Sequence, residues 1–148
     1  MSQGRKATLA GQRFENVIRS ILTNNSVSYI PQYTLCKNIY GHPHRVDFFI
    51  TNQPKFPKGL VIQAKWQDSG GSVDEKFPFE VMNVRERYPC PAIFIVEGGG
   101  QKEGSLSWLR KQVDGKLIAV MDIKEFMSAS NRGLFTQEIP FSTQAMLP

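Results

Sequence analysis

The chain has 148 residues, with 18 lysines and arginines against 13 aspartates and glutamates, for a formal net charge of +5. Hydrophobic residues make up 41% and charged residues 21%, which excludes a wholly disordered chain and fits one globular domain with a buried core. No apolar run approaches the roughly 20 residues of a membrane span. The polar start Met1-Ser2-Gln3-Gly4-Arg5-Lys6 leads into no apolar signal core, so a cytoplasmic location is expected. The basic balance favours polyanionic partners, though weakly. Cys36 and Cys90 are too few for a thiolate zinc site and are expected as two buried thiols.

Leu9, Phe14, Val17, Ile18, Ile21 and Leu22, with polar residues between them, predict an amphipathic helix over about residues 8–24, capped by Thr8. Residues 28–35 are rich in aromatic and β-branched side chains, but Pro31 restricts this run to an edge strand. The turn-like Tyr40-Gly41-His42-Pro43 separates it from a second strand at 45–51. A third strand follows at 59–66, after a loop marked by Pro54 and Pro57. Phe79, Val81, Met82 and Val84 then predict a helix to about Tyr88. Its start is read as a short turn at 73–77 with Pro78 in the first turn of the helix proper, because a proline inside a helix removes a hydrogen bond. A capping box at Ser72-Val73-Asp74-Glu75 is the competing start. A strand at 91–96, a helix at 105–112, a strand at 116–121 and a short helix at 123–128 complete the order, and the tail from Asn131 carries no period. Mixed order of this kind predicts an α/β domain with a mixed central sheet flanked by helices.

Two of these strands carry polar residues inside apolar runs. In Arg45-Val46-Asp47-Phe48-Phe49-Ile50, alternation puts Val46, Phe48 and Ile50 on one face and Asp47 on the other. In Leu60-Val61-Ile62-Gln63-Ala64-Lys65-Trp66, Gln63 and Lys65 leave one face, and Leu60, Ile62, Ala64 and Trp66 the other. Burying Asp47 and Lys65 unpaired is expensive. The residues by themselves leave two readings, a salt bridge that closes the sheet end or a reactive site.

Val46-Asp47, followed sixteen residues on by Gln63-Ala64-Lys65, resembles the PD-(D/E)XK nuclease superfamily. Gly11-Gln12-Arg13-Phe14-Glu15 has the look of the leading helix that often carries the first acid of that family. The element order also matches its restriction-endonuclease-like αβββαβ core, here over about residues 7–97, with about 98–148 as a C-terminal extension of a single domain, 1–148. The Gln-Ala-Lys-Trp stretch is similar to the glutamine-bearing variant of Mrr-type restriction nucleases.

The resemblance implies a metal-dependent deoxyribonuclease acting on double-stranded DNA, and so a nucleoid setting. A hard divalent cation, Mg2+ or Mn2+ in its place, stabilises charge on the phosphate and lowers the pKa of a bound water. Its implied ligands are Asp47, the Ala64 backbone carbonyl and the Gln63 side chain, with Glu15 as second acid. Gln63 offers a neutral amide oxygen where many relatives have an acid, which weakens the case for a second ion. Lys65 would orient or activate the attacking water, or offset charge on the phosphorane. The leaning is to a sequence-specific enzyme of restriction or homing type. The alternatives are a structure-specific junction or repair nuclease, and a catalytically inactive DNA-binding module of the same fold. A chain this short, facing two antiparallel strands, is expected to act as a homo-oligomer, a dimer or larger.

Other residues carry weaker signals. Glu15 has the alternative of a solvated helix glutamate. His42 and His44 lack the further cysteine or histidine of a structural zinc site, so His44 is read as touching phosphate or standing idle. Arg45 is either a DNA contact or a plain surface arginine, and Lys76 an accessory phosphate contact. Arg5, Lys6, Arg13 and Arg19 form either a solvated face or a phosphate-tracking patch. Trp108, Leu109 and Val113 are read as packing residues.

Overall fold

A computed structural model of the chain describes residues 2–67, 73–98 and 103–135. The order is α1 (Ser2–Asn24), β1 (Tyr29–Lys37), β2 (Pro43–Ile50), β3 (Leu60–Trp66), α2 (Val73–Arg87), β4 (Ala92–Glu97), α3 (Glu103–Arg110), β5 (Leu117–Met121) and α4 (Ile123–Asn131). The strands lie in the order β1-β2-β3-β4-β5, with β1, β2 and β3 antiparallel and β3, β4 and β5 parallel. The short β1–β2 and β2–β3 connections permit antiparallel pairing, whereas the parallel pairs need the crossover helices α2 and α3. Both crossovers advance the sheet in one direction, so a common hand places both helices on the same face. The architecture is therefore α/β with a five-stranded mixed sheet, as expected for a restriction-endonuclease-like fold.

Each face of the sheet buries one apolar layer. Phe14, Ile18, Ile21 and Leu22 of α1, with Phe126 of α4, pack on Phe48, Ile50, Leu60, Ile62, Ile93 and Ile95. Phe77, Val81 and Val84 of α2 and Tyr88 just beyond it, with Leu109 of α3, pack on Val61, Ala92, Phe94, Val96 and Leu117. β4 is covered on both sides, which explains its unbroken apolar sequence Ala92-Ile93-Phe94-Ile95-Val96. β1 is the edge strand that Pro31 demands. Gly98 follows β4 at φ +105, and a Cβ there would collide with the Gln67 carbonyl just beyond β3, so the ends of these two strands approach closely only through a glycine.

Several expectations are corrected. Val46 packs on the α2 side while Phe48 and Ile50 pack on the α1 side, so β2 turns over at Asp47 instead of alternating through it. Trp108 and Val113 are exposed, and only Leu109 of that group is buried. Helix α2 starts at Val73 and runs through Pro78, so no separate turn occupies 73–77. The expected capping serine, Ser72, lies outside the described residues. The buried stripe of α2 is Phe77, Val81 and Val84, continued by Tyr88 just past its end, while Phe79 stacks on exposed Tyr40, their ring centroids 5.1 Å apart. Starting the helix at Pro78 would leave Phe77 outside it. Burying a phenylalanine is worth about 1.5–3 kcal/mol, enough to offset much of the missing hydrogen bond.

That balance is measurable. Replacing Pro78 should recover about 3 kcal/mol within α2 and return about 1 kcal/mol of freedom to the unfolded chain. Pro78→Ala is expected to raise the unfolding free energy in urea by about 2 kcal/mol, and a lowered value would contradict this account of the helix.

Candidate active site

The β2–β3 ladder pairs Ile50 with Leu60, Phe49 with Val61 and Phe48 with Ile62, and there it stops. Beyond that point side chains take over. The Asp47 backbone N–H donates to Gln63 Oε1 at 2.9 Å, and the Ala64 N–H donates to Asp47 Oδ2 at 2.8 Å. In an extended strand the N–H and C=O of one residue point to the same side. The Ala64 carbonyl is therefore directed toward β2, beside Asp47. Asp47 and the Ala64 carbonyl are brought together as the sequence implies.

Gln63 is buried at 3% exposure, and its amide is held at both ends. Its Nε2 donates to the Tyr88 hydroxyl at 3.2 Å. That hydroxyl lies 2.9 Å from His44 Nε2. Burial raises the Tyr88 pKa far above its ordinary value, so the hydroxyl keeps its proton and can offer it to His44. Burial likewise lowers the His44 pKa, which suits a neutral imidazole accepting at Nε2. The amide oxygen of Gln63 is engaged by the Asp47 N–H, and His44, only 9% exposed, has its Nε2 engaged with Tyr88 in this buried network.

Lys65 leaves the same face of β3 and pairs with Glu80 of α2 at 3.1 Å. Its ammonium also lies 5.8 Å from the centroid of the Phe94 ring. The pair is mostly enclosed, with side-chain exposures of 16% and 13%, and Glu80 Oε2 is buried with no hydrogen-bond partner among the described residues. The bland reading of the sequence paired Lys65 with Asp47, whereas the structure pairs it with Glu80. The signal for Glu80 was available: it stands three residues after Phe77 and one before Val81, an acid beside the buried stripe of α2.

Glu15 is half-buried on α1 and faces this centre. Burial raises its pKa, the charge of Asp47 adds to the rise, and Arg19 one turn away opposes it. The Asp47 pKa is raised by burial too, against the Ala64 N–H, Lys65 and a hydrogen bond from Gln32 that favour its charged form. Gln32 also donates from Nε2 to Glu15 Oε1 at 3.3 Å. Its backbone is left-handed at φ +51, which costs a non-glycine residue about 1–2 kcal/mol. Sequence reasoning missed Gln32, and no signal marks it, since glycine and asparagine are the usual left-handed residues.

The outlying candidates separate from this centre. Arg45 and Lys76 are exposed. Arg13, also exposed, lines a cavity of about 400 Å3 with Ala10, Phe14, Val17, Trp66, Glu97 and Ile123. Arg19 lies half-buried over the Phe48 ring, 5.9 Å from its centroid, so it is not part of an open patch. The side chains of Arg5 and Lys6 lie outside the described residues. Cys90 is a buried free thiol with its pKa pushed up to about 11 by burial, whereas Cys36 is only half-buried.

Among the described residues no three of histidine, cysteine, aspartate and glutamate gather as a ligand cluster. The donor set on hand is two carboxylates and a backbone carbonyl, all hard oxygens. That set fits Mg2+, which binds through one or two carboxylates and keeps several waters, and it suits zinc poorly. The charge of Asp47 disfavours ionisation of Glu15, and a cation between them would reverse that effect.

Residues 6–134 match a family model described as a PD-(D/E)XK nuclease superfamily domain. No curated protein and no solved structure matches the chain. Among the described residues no helix is long and apolar enough to cross a membrane.

The buried network makes a stability prediction. Tyr88→Phe leaves the Gln63 amide and the His44 ring without their shared partner. Urea unfolding should show a loss of about 1–3 kcal/mol, the cost of buried polar groups left unpaired. An effect within about 0.5 kcal/mol, typical of an unconstrained surface change, would contradict the network's holding role.

Proposed function

Because this chain belongs to the PD-(D/E)XK nuclease superfamily, we propose that it is a Mg2+-dependent DNA endonuclease, with Mn2+ able to replace Mg2+. Asp47, Glu15 and the Ala64 carbonyl are the proposed ligands of one ion. The observation that supports this most is the 2.8 Å hydrogen bond from the Ala64 N–H to Asp47 Oδ2, which sets acid and carbonyl side by side one residue before Lys65. When bound, the cation supplies Lewis-acid stabilisation of the phosphate and a water of lowered pKa.

The residues of the chain do the rest. Asp47 is anchored through Oδ2 and through its backbone N–H, which leaves Oδ1 for the ion. Gln63 is assigned the task of holding the Asp47 backbone, so the lost charge at this position does not weaken the ion site directly. Lys65 is held in place by its 3.1 Å pair with Glu80. It orients the attacking water or offers positive charge to the phosphorane oxygens, where a preformed donor gains most. Arg13, Arg45 and Lys76 are exposed and available to hold flanking phosphates.

Within the class, the short chain favours a homo-oligomer in which two copies cut opposite strands of double-stranded DNA, and a sequence-specific enzyme of the restriction or homing type. Residues 1–148 act as one domain in this reading, at the nucleoid in the cytoplasm. The inward-turned Gln63 also suits a second reading, a DNA-binding module of the same fold without activity.

Wild type, Asp47→Ala and Lys65→Ala should be incubated with supercoiled, linear and branched DNA, with Mg2+ and with chelator. The expected result is Mg2+-dependent nicking by wild type, reduced about 100-fold or more in either variant. Discrete fragments from genomic DNA would support sequence specificity over junction cleavage. Binding without nicking on any substrate would favour the silent module, and cleavage that survives both substitutions would remove the site assignment.

A further inference from the structure

Gln32 is the one non-glycine residue at positive φ inside a strand among the described residues; Ser26 and Asn52, the others, lie in turns or bends. Its place is specific. Pro31 pairs with Phe48 and Tyr33 with Val46, so Gln32 stands opposite Asp47. The register is the same on both sides, so no residue is inserted there, and the pairing skips only the Gln32 and Asp47 level, where the backbone departs from extended geometry. On the facing strand, β2 turns over at the same level, with Val46 packing to one side of the sheet and Phe48 to the other.

The side chain accounts for the position. Gln32 Nε2 donates to Glu15 Oε1 at 3.3 Å, and the same residue stands across the ladder from Asp47, whose charged form it favours. A glutamine amide nitrogen carries two N–H groups, so one remains to face Asp47 while the other serves Glu15. It thereby ties a helix carboxylate to a strand carboxylate that no ladder hydrogen bond connects. It does so without charge. A lysine in this place would neutralise one acid and compete with a cation, whereas a neutral donor fixes both carboxylates and leaves their negative charge available. Left-handed backbone at a residue with a side chain persists where the surrounding fold over-determines it, and such residues cluster at ligand clamps.

We infer that Gln32 is the positioning residue of the ion site: bonded to Glu15 and set opposite Asp47, its amide keeps the two carboxylates together, ready for a hard divalent cation. This assignment rests on the nuclease reading above. It also gives the strained backbone a purpose that packing does not supply, since Gln32 is exposed and buries no apolar surface.

Glycine tests it cleanly, because it adopts φ +51 without strain and removes only the side chain. Mn2+ binding to wild type and Gln32→Gly should be measured by titration calorimetry, with thermal unfolding of each protein in chelator. The variant should melt no lower than wild type and bind Mn2+ about 10- to 100-fold more weakly, the usual loss when a group that orients a metal ligand is removed. A variant that binds within about twofold of wild type, or one that is unfolded, would overturn the assignment. If wild type nicks DNA with metal while the variant binds Mn2+ as tightly, the clamp fails and the nuclease reading stands. If wild type binds no Mn2+ and nicks no DNA, both fail.

Discussion

Two hydrogen bonds at the point where β2 leaves β3 organise the candidate site. The Ala64 N–H to Asp47 Oδ2, at 2.8 Å, and the Asp47 N–H to Gln63 Oε1, at 2.9 Å, stand where ladder bonds would otherwise continue beyond Phe48 and Ile62. A continued ladder would consume the Ala64 N–H and carbonyl between strands. Because the strands part there, an acid can sit beside a strand carbonyl without either being lost to the sheet. The backbone groups at the opening still find partners, as buried groups must. Edge and centre divide the work: β4, covered on both sides, fixes β3 in place, while β1 and β2 carry the irregular geometry near the sheet edge.

The charges follow from that geometry. The chain as a whole carries +5, yet Asp47 raises the pKa of Glu15 on one side and meets the Lys65–Glu80 pair on the other, with Arg19 acting on Glu15. Burying acids at close range is unfavourable unless something offsets their charge. Lys65 offsets Glu80, and the neutral amide of Gln32 stabilises Glu15 and Asp47 only partly, since both keep raised pKa values. The deficit is one of positive charge among hard oxygen donors. Gln63 fits the same picture: a carboxylate there would face the Tyr88 hydroxyl and the Asp47 backbone and add another buried charge, whereas the amide both accepts and donates.

Much of this was legible in the sequence for identifiable reasons. Asp47, Gln63 and Lys65 stood out because they interrupt apolar strands, and Pro31 marked its strand as an edge strand. The αβββαβ order came from hydrophobic period and turn residues alone. What escaped depends on tertiary contact. Gln32 and Glu80 are ordinary polar residues until strand register and helix packing bring them to Asp47 and Lys65. Pro78 misled because its local penalty is visible in sequence, while the burial of Phe77 that outweighs it is not. Val46 misled because alternation assumes a regular strand, and β2 turns over at the residue that matters.

The central claim is that the opening between β2 and β3 is an ion site of oxygen donors with Gln63 outside it. Anomalous diffraction from crystals soaked in Mn2+ addresses this directly, independent of any DNA substrate. The account predicts one peak, bound by Asp47 Oδ1, the Ala64 carbonyl and Glu15, with the Gln63 amide still on the Asp47 N–H and Tyr88. A peak held by the Gln63 amide or by His44, or no peak between Glu15 and Asp47, would contradict it.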